Sequence, residues 1–352
     1  MELEISQMID LIESHFGSAW GEEKVLTVGG IVGTNIFKHA IHACLKYHAF
    51  HKILVVDGCQ DYIGLMRKPL KNYIYYLNLF ESIEIPSPEK LLHPFYKFLI
   101  EPQPGFEIVI SAEKMYPYEA MVINNAHLIP KPYLSAMQKF FHGKIVCVVD
   151  PLDICGDSYI EVPTLYDSLT KQTPLHAMAR SMYNIDTRAI DRKIKSDFKK
   201  VKVQKRSIGK IDLTQYVTNS NRIIEEVAMR QMQNAFRRNQ KFIVGNPDIQ
   251  YYRDQNEQTI AVGAGTMLSI TNVTKPLMKL RIHSSVSNIY ANISYIRANA
   301  GLLVKPGNII SIEDACKHRF QSSCVVLGEE PMTKRLWYSI MKNSNTITIT
   351  DY

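Results

Sequence analysis

Residues 25–45 read VLTVGGIVGTNIFKHAIHACL, and this stretch is the most informative about the fold. An apolar run suited to a β-strand leads into three closely spaced glycines, and a segment with helical apolar spacing follows. The glycines allow the tight turn that such a change of direction needs. The stretch therefore predicts a strand–turn–helix unit, which is typical of α/β domains with parallel sheets.

The turn has the layout of a phosphate-binding loop, G-x-x-x-x-G-K-[ST], but not its polar chemistry. With the pattern aligned on Gly30, the lysine that would hold phosphates is replaced by Ile36. The hydroxyl residue that would hold magnesium is replaced by Phe37. We assign the positions of this degenerate nucleotide site as Gly30, Gly33, Thr34, Asn35, Ile36 and Phe37.

The composition is that of a globular protein with two or three domains. The 352 residues are 46% hydrophobic and 21% charged, and the net charge is +7. The positive charge suits an anionic partner such as nucleic acid. The six cysteines form no C-x-x-C pair, so zinc and redox motifs are not indicated. We expect no metal and no cofactor.

The sequence also predicts a location in the cell. No apolar run approaches the length of a membrane span, and the amphipathic N-terminal segment does not resemble a signal peptide. We therefore expect a cytoplasmic protein. The usage of Tyr, Lys, Asn and Ile suggests a viral or mobile-element origin, and a viral protein would lie in the cytoplasm of the host cell.

Strand and helix patterns alternate through the first half of the chain, which indicates a parallel sheet with crossover helices. Ligands bind at the carboxyl ends of the strands in such sheets. The predicted strands are Lys24–Val28, Lys52–Val56, Ala120–Asn124 and Lys144–Asp150. The predicted helices are Phe37–Tyr47, Leu70–Leu79, Glu89–Ile100 and Tyr133–Phe141.

A basic segment interrupts this alternation. Residues 188–210 contain ten Lys/Arg and two Asp. The segment is either a solvated surface helix or a region that contacts phosphates, because clustered cations release counterions from nucleic acid. The candidate nucleic-acid-binding residues are Arg188, Arg192, Lys193, Lys195, Lys199, Lys200, Lys202, Lys205, Arg206, Arg237 and Arg238.

The basic segment separates two predicted domains. Residues 1–185 form the first domain, residues 186–210 a basic connector and residues 211–352 the second domain, with a small β insertion at about 255–300. The second domain restarts with a strand and a helix. Its predicted elements are Ile211–Thr218, the helix Ser220–Arg237, and strands at Thr259–Val262, Thr266–Ile270, Lys279–His283, Ser323–Leu327 and Thr346–Thr350.

The order of these elements resembles that of a superfamily 1 DNA helicase of the RecD/Dda kind, from near the N-terminus to residue 351. VGGIVGTNIF at 28–37 resembles the loop GPAGTGKT of that family. MVINNAHLI resembles the strand VDEASMI, with Asn124 and Asn125 in place of the Asp and Glu that hold magnesium and activate water. IVCVVDPLDI resembles the strand that ends in G-D-P-x-Q, with Asp153 in place of the glutamine that senses the γ-phosphate.

The resemblance continues in the second half. ISIEDACKHRFQSSCVVLGEE at 310–330 lines up with the family signature I-T-V-H-K-S-Q-G-S-E-F-D, with Glu313 and Asp314 in place of His-Lys. LWYSIMKNSNTITITD at 336–351 resembles the last helix and strand, and Asn343 stands at the position of the arginine finger.

The resemblance implies an α/β protein with two RecA-like (P-loop NTPase-like) domains, parallel sheets and a small β insertion in the second domain. Such enzymes clamp ATP between the two domains and walk along single-stranded DNA. Five groups that phosphoryl transfer requires are replaced. We therefore predict a pseudo-enzyme without catalytic residues, ATPase or helicase activity. The replacements are Ile36, Phe37, Asn124, Asn125 and Asn343.

Three functions remain open. The first is an accessory subunit of a replication, recombination or transcription assembly that binds nucleic acid, with single-stranded DNA expected, across the cleft between the two halves. Basic residues near aromatic ones support it, because such surfaces stack bases. These residues are Arg237, Arg238, Lys241, Phe242, Tyr251 and Tyr252.

The second function is a protein–protein scaffold without intrinsic nucleic-acid binding. Glu313 and Asp314 favour it, since they place negative charge where the family contacts DNA. The third function is a nucleotide sensor without hydrolysis, which would use Lys38 and backbone amides.

Overall fold

The computed structural model describes residues 2–18, 23–49, 52–58, 92–94, 115–167, 173–182, 194, 196–202, 208, 214–233, 235–245, 250–254, 259–262, 265–282, 288–298 and 304–352. The chain divides into two compact units, Met1–Gln172 and Thr173–Tyr352. Each unit has its own parallel sheet with helices. The predicted α/β fold class with two RecA-like domains is therefore confirmed.

The first unit is built on a seven-stranded sheet in which all described pairs are parallel. Its order is β1-β7-β2-β6-β5-β3-β4. The inner strands β3, β5 and β6 are buried along their whole length, as expected for parallel strands covered on both faces. The strands are β1 (Glu2–Leu3), β2 (Val25–Gly30), β3 (Ile53–Asp57), β4 (Leu92–Pro94), β5 (Ala120–Asn124), β6 (Lys144–Val149) and β7 (Thr164–Leu165).

The described residues of the first unit also form three helices, which are α1 (Ile5–Gly17), α2 (Ile36–Tyr47) and α3 (Lys131–Phe140). Two short 3-10 turns, Ala126–Leu128 and Ile154–Tyr159, follow β5 and β6. The buried residues of α1 recur every four positions, as one face of a helix requires. They are Met8, Ile12 and Phe16, and they share one apolar cluster with residues of α2 and the sheet.

The structure corrects one predicted helix. Within the predicted helix Glu89–Ile100, Leu92–Pro94 forms strand β4, which pairs with β3 in parallel. Proline interrupts a helix because it lacks an N–H group, but an edge strand tolerates it. β4 lies at the edge of the sheet. The predicted helix Leu70–Leu79 lies outside the described residues.

The second unit contains a parallel sheet of five strands with the order β17-β9-β18-β19-β8. The strands are β8 (Lys199–Lys200), β9 (Gln215–Thr218), β17 (Ile309–Ser311), β18 (Phe320–Leu327) and β19 (Ser344–Asp351). The helices of this part are α4 (Pro174–Ser181), α5 (Asn221–Gln233), α7 (Ile312–Ala315) and α8 (Lys334–Asn343).

A seven-stranded antiparallel sheet is inserted between α5 and β17. Its order is β12-β11-β15-β14-β13-β10-β16, and helix α6 (Ile293–Ala298) follows β15. We call residues 241–306 the β insertion; it extends beyond the predicted 255–300 on both sides. Its strands are β10 (Lys241–Val244), β11 (Gln250–Asp254), β12 (Thr259–Val262), β13 (Met267–Thr274), β14 (Leu277–Ile282), β15 (Asn288–Asn292) and β16 (Val304–Pro306).

The boundary between the units differs from the predicted one. The second unit starts at Thr173, and α4 packs against α8 within it. Inside the predicted connector 186–210, β8 pairs in parallel with β19, so this part belongs to a sheet. Among the helices that the structure describes, none has both the length and the apolar character to cross a bilayer.

Candidate functional site

The glycine-rich turn after β2 is stabilised by its backbone conformation and by contacts between its own residues. Gly33 and Asn35 have positive φ angles of 92° and 52°, and asparagine tolerates this conformation better than most residues do. The Thr34 hydroxyl donates to the Ile31 carbonyl at 2.8 Å. A Cβ atom on Gly30 would lie 2.3 Å from Ile36 Cγ2, so Ile36 packs directly against this glycine.

Ile36 and Phe37 belong to the core of the first unit. They are only 3% and 5% exposed, and both join the apolar cluster that contains Ile12, Val28 and Ile41. Apolar side chains at these helix positions contribute hydrophobic stabilisation and offer no donor or acceptor. The turn therefore holds α2 against the sheet through packing.

A buried carboxylate lies next to the two predicted asparagines. Asp57, the last residue of β3, is 0% exposed. Asn124 Nδ2 donates to its Oδ2 atom at 2.8 Å, and Asn125 Nδ2 donates to its Oδ1 atom at 3.0 Å. The Gly58 N–H group donates to the Asn124 carbonyl at 2.9 Å. The two amides thus stabilise the charged form of Asp57 at the carboxyl edge of the sheet.

Asp153 forms a second buried group at the same edge. It was predicted to face the position of a phosphate, but it is 0% exposed and its Oδ1 atom accepts from the Cys155 N–H group at 3.3 Å. Its Oδ2 atom lies 3.8 Å from His127 Nε2. The Asp150 N–H group donates to His127 Nδ1 at 3.2 Å, so a neutral ring carries its hydrogen on Nε2, toward Asp153.

These residues do not fit a magnesium–nucleotide complex in the way that the resemblance implies. Such a site needs a lysine, a hydroxyl and a free carboxylate that face the phosphates. Ile36 and Phe37 are core residues, and the amides of Asn124 and Asn125 are turned toward Asp57.

Two predicted positions of the second unit have structural partners. Asn343, at the end of α8, is 2% exposed and donates to the Ser339 carbonyl at 2.9 Å. Asp314 lies 3.5 Å from Lys317 Nζ and 3.9 Å from Lys305 Nζ, so neighbouring cations offset its charge. The protein–protein scaffold was favoured because Glu313 and Asp314 add negative charge. The pairing of Asp314 with two lysines weakens that support.

The predicted basic residues fall into several groups. Lys199, Lys200 and Lys202 are exposed, and Lys200 forms an ion pair with Asp351 at 2.5 Å. Arg237 and Arg238 are exposed on a turn before β10. The residues Arg188, Arg192, Lys193, Lys195, Lys205 and Arg206 lie outside the described residues.

The residues near Arg238 differ from the predicted stacking surface. Lys241 Nζ donates to Gln215 Oε1 at 3.3 Å, and Phe242 is 1% exposed, so both are structural. The side chains of Tyr251 and Tyr252 lie outside the described part of the structure.

The chain shares its fold with solved structures of helicases. The sequence matches no known family model and no curated protein. Among solved structures, the chain is similar to a Pif1 helicase, from work on how two coordinating Pif1 helicases unwind forked dsDNA. The TM-score is 0.54 at 9% identity, over 99% of this chain and 92% of the other.

Two further structures show the same fold. For the Pif1 helicase from Bacteroides in complex with ADP-AlF3 and ssDNA, the TM-score is 0.52 at 10% identity, with 98% and 91% of the chains covered. For Bacteroides Pif1 bound to ssDNA, the TM-score is 0.51 at 10% identity, with 99% and 92% covered. The narrower resemblance to the RecD/Dda kind and a viral origin stay predictions.

The prediction that the chain is not an enzyme is wrong. The solved proteins that share its fold are helicases, which are enzymes. An identity of 9–10% gives no sign of lost activity. The physical reason is that catalysis depends on the geometry of groups in space, and equivalent groups can come from different sequence positions.

Sequence reasoning missed Asp57 and His127. Asp57 had a detectable signal, since it ends a fully apolar strand at the edge where ligands bind in parallel sheets. His127 had none, because only the folded chain brings its ring to Asp153.

Proposed function

We propose that this chain is a helicase-type protein that binds single-stranded DNA. The observation that carries the proposal is the fold, which matches helicases over nearly the whole chain. The related Bacteroides proteins are described with ssDNA bound. We propose that the present chain binds the same ligand, single-stranded DNA.

The distribution of charge supports an anionic ligand. Residues 235–306, which comprise the β insertion and the turn before it, contain nine Lys/Arg and three Asp/Glu. Residues 188–210 contain ten Lys/Arg and two Asp. Clustered cations attract the phosphate backbone through counterion release.

Fluorescence anisotropy of a labelled single-stranded oligonucleotide tests the proposal, with the purified chain and a series of salt concentrations. We expect binding that weakens steeply as salt rises, since each phosphate contact on a single strand contributes a slope of about −0.7 in log K against log salt. An absence of binding at low salt would contradict the proposal.

We further propose that the chain works as a subunit of a replication, recombination or transcription assembly in the cytoplasm, which for a viral protein is that of the host cell. Its net charge and nucleic-acid ligand suit such an assembly. Affinity purification of the tagged chain after nuclease treatment, followed by mass spectrometry, should recover protein partners. Recovery of the tagged chain alone would count against this part.

A further inference from the structure

A polar groove of about 620 Å³ lies on the antiparallel sheet of the second unit. One wall is the turn before β10, with Phe236 and Arg238, and the floor includes Asn272, Lys279 and Asn288. The described residues that line it all belong to the second unit. None of the described residues that line it carries a negative charge.

Backbone hydrogen bonds fix the wall that carries Arg238. The Asn239 N–H group donates to the Ile270 carbonyl at 2.7 Å, and the Ile270 N–H group donates to the Gln240 carbonyl at 2.9 Å. Asn239 has a positive φ of 66°, which bends the chain at this point. The turn is therefore held against β13, and Arg238 is exposed beside the groove.

The floor is the outer face of β13, β14 and β15. Along β14, Met278, Leu280 and Ile282 are buried, so Lys279 and Arg281 lie on the opposite face. Lys279 pairs with Asn272 on one side and with Tyr290 on the other. The Lys279 Nζ atom lies 6.0 Å from the centroid of the Tyr290 ring.

The cations of this face keep their charge available for a ligand. Within the described residues, Arg238, Lys279 and Arg281 form no ion pair. The described residues between 235 and 306 contain nine Lys/Arg and a single acidic residue, Asp254. Cations that alternate with an aromatic ring and amides suit both phosphates and base faces.

We propose that this groove binds a segment of the single strand. Arg238 and Lys279 contact phosphates, and Asn272 and Asn288 donate to or accept from base edges. The Tyr290 ring, which lies next to Lys279 at the border of the groove, stacks on a base. The assignment rests on the proposed function, and it adds a defined surface to it. An acidic peptide could use the cations but has no need of the Tyr290 ring.

The test uses the full chain and a labelled oligothymidylate in anisotropy titrations. Lys279→Gln and Arg238→Gln should each make the salt slope shallower by about 0.7. Tyr290→Ala should weaken binding roughly five- to 150-fold through lost stacking, and Tyr290→Phe should restore it. Lys131→Gln is the matched control, because Lys131 is an exposed lysine at the start of α3 in the first unit.

The outcomes separate the two proposals. If the wild type binds and the groove variants bind as Lys131→Gln does, the groove assignment is wrong and the proposed function stands. If the wild type does not bind, both fail. If only the charge variants weaken binding and Tyr290→Ala does not, the surface is not a stacking site and the assignment is again overturned. Circular dichroism spectra check that each variant is folded.

Crosslinking locates the strand directly. An oligonucleotide with 5-iodouracil, bound to the wild type and irradiated, should yield crosslinked peptides that contain Tyr290 or residues of β13 and β14. Crosslinks confined to the first unit would contradict the groove assignment.

Discussion

The Asp57 carboxylate explains why asparagine stands at positions 124 and 125. Both oxygens of this fully buried group accept amide hydrogens, at 2.8 and 3.0 Å. A carboxylate at either neighbouring position would face Asp57 at hydrogen-bond distance, with unfavourable repulsion between two buried like charges. In this chain the two asparagines are therefore required by a neighbour that the resemblance did not reveal.

Replacement of Asn124 by aspartate tests this explanation. We expect Asn124→Asp to lower the free energy of unfolding by roughly 2 to 4 kcal/mol near neutral pH, because it removes a donor and adds a like charge. The repulsion raises the pKa of one carboxyl above its unfolded value. The folded state then binds a proton more tightly, so the lost stability should partly return as pH falls. Urea unfolding at two pH values measures both effects.

The exchanged pair is the control for this experiment. Asp57→Asn combined with Asn124→Asp again places one carboxylate beside one amide, and it should recover much of the stability lost by Asn124→Asp alone. Equal stability of Asn124→Asp and the wild type at neutral pH would show that the Asp57 amide contacts contribute little.

We expect four histidines to make the fold sensitive to mild acid. Burial lowers the pKa of His15, His39, His48 and His176 from the usual 6.5. For His15 the positive charge of Lys144 lowers the pKa further. A lowered pKa means that the unfolded chain takes up protons first, so stability is complete above about pH 6.5 and falls as pH decreases below it.

The variant His15→Gln tests this contribution. His15 Nε2 lies 3.1 Å from the Ile145 carbonyl, and a glutamine amide can donate to the same oxygen without titrating. We expect a shallower dependence of unfolding free energy on pH between about pH 7 and about pH 5. An unchanged slope would mean that the other groups account for the acid sensitivity.

At the scale of elements, the turn between β2 and α2 depends on packing. Ile36 lies against Gly30, and Phe37 is 5% exposed within the core cluster. Phe37→Ala should therefore lower the free energy of unfolding by about 3 to 5 kcal/mol, measured by chemical denaturation. The neighbouring Lys38→Ala is the control and should change it by less than about 1 kcal/mol. A small loss for Phe37→Ala would show that this side chain is not a core residue.

The elements were predictable where the apolar period was clear. β5 was predicted with its observed bounds, and β2, β3 and β6 within two residues, since continuous apolar runs of this length are typical of buried parallel strands. β4 was missed because its Leu92–Pro94 segment is short and lies in an apolar run that also suits a helix. Edge strands of this kind are defined by their partner and not by their own pattern.

The candidate site was only partly predictable. The glycine pattern located the turn after β2, and the resemblance to helicase motifs located positions 124, 125 and 153, which lie at or after the carboxyl ends of β5 and β6. The sequence could not show that Asn124 and Asn125 serve Asp57, or that Asp153 caps a 3-10 turn beside His127. Such contacts join residues far apart in the chain, and local patterns do not contain them.

At the scale of the whole molecule, the positive charge is concentrated in two segments of the second unit. Residues 188–210 have a net charge of +8 and residues 235–306 a net charge of +6, whereas the whole chain has +7. The remaining residues are therefore net negative. For the single strand of the proposed function, this asymmetry favours contact with the second unit, since exposed charges are screened beyond about 10 Å at 0.1 M salt.

The double variant Lys199→Glu with Lys202→Glu tests the first of these segments. Both lysines are exposed and, among the described residues, neither forms an ion pair. Reversal should weaken binding of a single-stranded oligonucleotide about tenfold, or about 1.4 kcal/mol, at moderate salt. The double variant Lys131→Glu with Lys139→Glu changes the total charge equally but lies on α3, and it should weaken binding less. Equal losses for the two would mean that the net charge, and not local contact at 188–210, determines the affinity.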